Sequence, residues 1–101
     1  MIAGGKIRSM AVMIKNDKQI AGIRRSCQLA SETLDYLAPF AKEGVSTEEI
    51  NQLAHRFIIK NGAQPAPLGY QGFPKSICTS VNDVVCHGIP SEKEILKNGD
   101  I

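Results

Sequence analysis

An α/β chain of the α+β kind, with two amphipathic helices leading into an antiparallel β-hairpin, is what this sequence predicts. Three observations carry the prediction. Apolar residues recur at steps of three and four from Ile20 to Ala41, and again from Ile50 to Ile58, which is the period of a helix with one buried face. Short β-prone runs flank Asn82-Asp83, two residues that tolerate the left-handed conformation of a tight turn. The 101 residues, 43% of them hydrophobic, suffice for a single small core.

The first helix opens at Asn16 or Asp17, either of which can cap it. Ile20, Ile23, Cys27, Ala30, Leu34, Leu37 and Ala41 then mark a buried face, and Lys18, Arg24, Arg25, Glu32 and Asp35 a solvated one. Cys27, inside the apolar stripe, reads as packing. Pro39 stops or bends the helix near Ala38. After Gly44, the run Ser46-Thr47-Glu48-Glu49 has the form of a capping box, with Val45 and Ile50 as its hydrophobic staple. A second helix therefore starts there, continues through Ile50, Leu53, Phe57 and Ile58, and stops at Asn61-Gly62. His55 lies off that stripe without companion ligands and reads as solvent-exposed. Pro65 and Pro67 make residues 63–68 an extended connector.

From Ser76 to Gly88 the hairpin is expected with Val81 opposite Val84, so that Ser80 faces Val85, Thr79 faces Cys86 and Cys78 faces His87. Cys78 and His87 then share a face from which Cys86 points away, which makes a Cys–Cys–His metal site geometrically poor. A Cys78 nucleophile activated by His87 needs a third group to orient the imidazole, and the sequence identifies none. Ordinary core packing is the other reading of His87 on local pattern.

Charge and composition narrow the function classes. The 12 basic and 10 acidic residues are interspersed and leave a net charge of +2, so no basic stripe is present to grip a phosphate backbone. Nucleic acid is not expected as a direct ligand. Cys27, Cys78 and Cys86 form an odd set without CxxC spacing, which argues against a disulfide framework and a zinc knuckle and fits a reducing compartment. Met1 to Lys15 holds no apolar run long enough for a signal peptide or a membrane span. A soluble, cytoplasmic protein with no membrane partner is expected, with residues 1–13 as a flexible leader because Gly4-Gly5 carries no periodicity.

The run Leu68-Gly69-Tyr70-Gln71-Gly72-Phe73-Pro74-Lys75-Ser76-Ile77-Cys78-Thr79-Ser80-Val81-Asn82-Asp83-Val84-Val85-Cys86-His87-Gly88-Ile89-Pro90 resembles the substrate-side hairpin of type I methionine aminopeptidases at nearly every position. The helix from Asp17, the Pro39 and Gly44-Val45-Ser46 junction, and Leu96-Lys97-Asn98-Gly99-Asp100-Ile101 also look like their counterparts. The resemblance spans about Ile14 to the end and is of the short, bacterial-like or organellar form. It implies the pita-bread architecture, in which two related halves enclose a pair of divalent metals. On that footing residues 1–101 are a single incomplete domain, the N-terminal part of the catalytic domain, whose partner is the missing C-terminal half.

The resemblance also implies an activity and its residues. The enzymes remove the initiator methionine from nascent peptides that begin with Met and a small second residue, near the ribosome, by attack of metal-activated water on the first peptide bond. His87 corresponds to the family's histidine that contacts the scissile amide and supports the tetrahedral intermediate by hydrogen bonding or proton donation. Tyr70, Phe73 and Cys78 correspond to the pocket for the methionine thioether, where aromatic rings and a thiol suit a polarizable side chain; ordinary packing is the other reading of these three. Phe73 stands where a tyrosine is common, and Pro67 where bacterial members often carry cysteine.

The family's metal ligands are two aspartates, a histidine and two glutamates holding two divalent ions, with cobalt, manganese, iron, zinc and nickel all candidates. None of the five maps onto this sequence, Asp100 being a turn residue. The isolated chain is therefore expected to be inactive and to leave a sheet edge and parts of its helix faces uncovered. Competing readings are a prolidase, an aminopeptidase P or a type II enzyme, against which Cys86-His87-Gly88-Ile89-Pro90 argues; a catalytically dead pita-bread binding protein; and a stand-alone domain that ends naturally at Ile101.

Overall fold

The computed structural model describes residues 11–101; residues 1–10, the greater part of the expected leader, lie outside the described residues. Asn16 caps α1 (Asp17–Leu37), accepting the Gln19 N–H while the Gln19 side chain accepts the Asn16 N–H, both at 2.9 Å. Two of the amides that a helix start leaves open are thereby satisfied. Ahead of Pro39 the helix ends at Leu37 and tightens into a 3₁₀ turn over Ala38–Phe40, because the proline ring clashes with the preceding helical turn.

Of the face that the periodicity of α1 marks, only Leu37 is buried among the described residues. Thr33 and Leu37 are buried, whereas Ile20, Ile23 and Leu34 are 39%, 48% and 70% exposed and Cys27 is exposed too. The reading of Cys27 as packing is corrected, as is that of Ile20, Ile23 and Leu34, while Leu37 packs as expected. The cause lies in what stands opposite. Helix α2 (Thr47–Lys60) has 14 residues against the 21 of α1. It meets the C-terminal turns of α1, where Tyr36 stacks on Phe57 at 4.5 Å and leans on Phe40 at 5.5 Å.

Helix α2 forms as its signals predict. Ser46 Oγ accepts the Glu49 N–H at 3.1 Å and Glu49 Oε1 accepts the Ser46 N–H at 3.3 Å. At the other end Gly62 takes φ +78, and the Gly62 and Ala63 N–H groups donate to the Ile59 and Ile58 carbonyls at 3.0 and 3.1 Å. That pair of bonds is the Schellman closure, which requires a left-handed residue after the cap. The core is small: Leu37, Ile50 and Ala54, with Val45, Leu53, Ile77 and Leu96 against it. Residues 91–96 run along the start of α2, with Leu96 N–H to Val45 C=O and Gly44 N–H to Leu96 C=O at 2.9 Å and an isolated antiparallel bridge between Ser46 and Ile95.

The expected hairpin ladder is not formed among the described residues. Its turn is present, with Val84 N–H donating to Val81 C=O at 3.2 Å and Asn82 at φ +56. Beyond the turn, Thr79 N–H bonds Gly88 C=O at 2.9 Å rather than pairing with Cys86. Two features accompany this. His87 sits at φ +55, outside the conformations a pleated strand can use. Asn82 is also committed elsewhere: its N–H donates to Ile101 C=O at 2.7 Å, its Oδ1 accepts the Ile101 N–H at 3.0 Å, and its Nδ2 donates to Asp100 at 3.0 Å.

Candidate functional site

The site begins with a tight loop. Gly69, Gln71 and Gly72 have φ of +80, +47 and +82, and the loop closes through Gly69 N–H to Phe73 C=O at 2.8 Å and Phe73 N–H to Tyr70 C=O at 2.9 Å. Glycine supplies the left-handed corners without a Cβ penalty, so the two aromatic residues emerge close together at the loop's ends. Tyr70 remains 68% exposed.

A second close approach sets the facing wall. An ideal Cβ at residue 88 would lie 1.9 Å from the Thr79 carbonyl oxygen, so only glycine allows the two arms to meet there. The Gly88 N–H also donates to Ser80 Oγ at 3.2 Å. This contact brings His87 to the side of Cys78 without a ladder. His87 is one of three non-glycine residues in the left-handed region among the described residues, with Gln71 and Asn82. Such backbone costs about 1–2 kcal/mol for an ordinary residue, and it persists where the surroundings over-determine it, often at functional sites.

Tyr70, Phe73, Cys78 and His87 line one open cavity of about 640 Å³, together with Pro67 and Ile89 among others. The four residues expected to share a site thus line one cavity, although their register was expected to arise differently. Cys86 is not among the lining residues. The wall is mostly aromatic and aliphatic, with a thiol and an imidazole as its polarizable and hydrogen-bonding groups, the composition usual for a site that takes an apolar side chain in a fixed orientation.

The connection from α2 to this wall was not anticipated from the sequence. Asn51 is buried, and its Oδ1 accepts the N–H groups of Ser76 and Ile77 at 2.9 and 3.2 Å. His55, expected in solvent, is half-buried with Nδ1 2.7 Å from Ser76 Oγ. Glu48 pairs with Lys75 at 2.8 Å and accepts a hydrogen bond from Gln52 at 2.6 Å. The Lys75 contact first, and the Gln52 amide next, hold the Glu48 carboxyl below its ordinary value. The available signal was the polar series Glu48, Asn51 and His55 at helical spacing beside an apolar stripe.

Among the described residues no group of three or more His, Cys, Asp or Glu side chains is arranged to hold a metal ion. Asp100 is occupied as a turn cap: Oδ1 accepts from Asn82 and Oδ2 accepts the Lys97 N–H at 2.8 Å. The Asn82 amide, and then the Lys97 amide, lower its pKa.

Comparison with known proteins places these features. The profile of metallopeptidase family M24 matches residues 21–101. Methionine aminopeptidase of Buchnera aphidicola subsp. Schizaphis graminum is 53% identical over 92 residues, covering 91% of this chain and 35% of that protein. The crystal structure of methionine aminopeptidase from Rickettsia prowazekii superposes with a TM-score of 0.86 at 51% identity, covering 89% of this chain and 36% of the other. That from Thermotoga maritima gives a TM-score of 0.87 at 26% identity, covering 90% and 36%. The chain thus spans about a third of the length of the relatives it matches. The agreement with these structures supports the pita-bread architecture that the resemblance implied.

Proposed function

This chain belongs to metallopeptidase family M24, and from that membership we propose that it supplies the substrate-side wall of a methionine aminopeptidase acting on nascent peptides. The observation that carries the reading is the convergence of Tyr70, Phe73, Cys78 and His87 on one cavity. A methionine thioether is flexible and polarizable, and aromatic rings with a thiol give it dispersion contacts without demanding a hydrogen bond. With the side chain seated there, the first peptide bond lies against His87. Its imidazole can donate a hydrogen bond as negative charge develops on the amide oxygen, or deliver a proton to the departing amine.

The family's chemistry uses divalent metal, for which cobalt, manganese, iron, zinc and nickel are candidates. The described residues of this chain do not make a metal centre, so their part in the proposal is to bind and orient the peptide. The second half of the pita-bread fold would close the opposite wall. The preferred substrates have a small residue after Met, and the setting is cytoplasmic and close to the ribosome. No helix among the described residues is long and apolar enough to cross a membrane.

The test is an assay of the full-length gene product on Met-Ala-Ser with each metal in turn, beside His87→Ala. The wild type should release methionine, and the variant should be slower by about 10²–10⁴-fold, the usual worth of a positioned acid or hydrogen-bond donor. No methionine release with any metal removes the enzyme reading in favour of a binding protein. Full activity in the variant removes only the role given to His87.

A further inference from the structure

We infer that Asn51 and His55 of α2 are positioning residues for the cavity, holding the backbone at Ser76 and Ile77 and so fixing where the Cys78 wall stands. The inference rests on the substrate reading above. Asn51 is 4% exposed and Ser76 is 3% exposed, so the polar groups between them have little access to water. A single oxygen, Asn51 Oδ1, accepts both consecutive N–H groups at 2.9 and 3.2 Å. Among the described residues no other acceptor takes either one. His55 holds the Ser76 hydroxyl at 2.7 Å from the next turn of the same helix, and Glu48 pins Lys75 from the previous turn.

Cys78 is the next residue after Ile77 and lines the cavity. On its far side Thr79 N–H is bonded to Gly88 C=O at 2.9 Å. Cys78 is therefore supported twice, by α2 on one side and by the Gly88 contact on the other. Loss of the Asn51 acceptor strands the buried Ser76 N–H and the partly buried Ile77 N–H, which the segment relieves by moving toward water. The surviving Thr79–Gly88 bond makes that movement a pivot: Cys78 shifts while His87, beyond the bond, stays. Side-chain recognition should then suffer more than the chemical step.

The decisive experiment uses the full-length gene product with divalent metal. In Asn51→Leu, which keeps the size and loses the acceptor, KM for Met-Ala-Ser should rise about tenfold with kcat within about threefold, since ångström displacements of a positioning contact have effects of this order. Asn51→Gln retains an acceptor oxygen without setting a second carboxylate beside Glu48 and should restore KM to within about threefold of wild type. Alkylation of Cys78, followed by peptide mass mapping, reads the same wall without turnover: free methionine should protect Cys78 in the wild type and in Asn51→Gln, and not in Asn51→Leu. An Asn51→Leu protein with unchanged KM and protection overturns the inference alone, as does one whose kcat falls at constant KM. Should Asn51→Leu not fold, His55→Gln and Ser76→Ala decide: a raised KM at retained kcat supports the assignment, and an unchanged KM in both overturns it. A wild type that neither releases methionine nor shows protection removes the substrate reading and this inference together.

Discussion

His87 combines two properties that constrain each other: it lines the cavity and it holds a left-handed backbone conformation. Asparagine tolerates the same conformation and donates a hydrogen bond, but it cannot transfer a proton at neutral pH. His87→Asn should therefore retain roughly 10-fold or more activity over His87→Ala if the imidazole acts as a donor, and none of that advantage if it acts as an acid; steady-state rates on Met-Ala-Ser separate the two. Gly88→Ala should be severe, because its Cβ would fall 1.9 Å from the Thr79 carbonyl. A loss of about 2–4 kcal/mol in urea unfolding is expected from forcing those backbones apart. Glu48 gives a pH signature. Its folded pKa lies below the ordinary 4.5, so its contribution is complete above that value and is lost as pH falls through the depressed one. Wild type should exceed Glu48→Gln in stability at neutral pH, and the two urea midpoints should converge on acidification. The cavity residues were legible through the resemblance of one continuous run to a known family, whereas His55 was not, since its partner Ser76 lies 21 positions away.

The helix starts show how much of an element can be local. Asn16 with Gln19 and Ser46 with Glu49 close their capping boxes within four residues, so nothing distant is needed to place them. Ser46→Ala should cost about 1 kcal/mol in thermal or urea unfolding, and Gly62→Ala a comparable amount, about 1 kcal/mol, from the left-handed cap at φ +78. The segment from Ser76 to Pro90 behaves in the opposite way. Its turn at Asn82-Asp83 was legible because left-handed tolerance is a property of the residue itself. The pairing beyond the turn was not, because it depends on His87 leaving the pleat and on Asn82 bonding Asp100 and Ile101.

The described chain is elongated, with a radius of gyration of 17.4 Å and extents of 54 × 29 × 22 Å, where a compact chain of about 100 residues has roughly 13 Å. Three buried hydrophobic residues form the core, while Ile20, Ile23 and Leu34 stand open on α1. Apolar surface of this kind is covered by further structure or drives association. The 101-residue chain by itself should bind a hydrophobic dye and elute at a size that grows with concentration in light-scattering chromatography; a compact, dye-silent monomer would count against this. What the amino-acid sequence alone determined is everything encoded within a few residues of itself: both helices and their caps, the stop at Pro39, the Asn82 turn, and the motif that carries Tyr70, Phe73, Cys78 and His87. What only the tertiary structure decided is which face of α1 is covered, how the two arms meet at Thr79 and Gly88, and that Asn51 and His55 hold the cavity wall. These depend on contacts between residues 9 to 26 positions apart or more, where the partner is chosen by close approach in space and leaves no periodic trace along the chain.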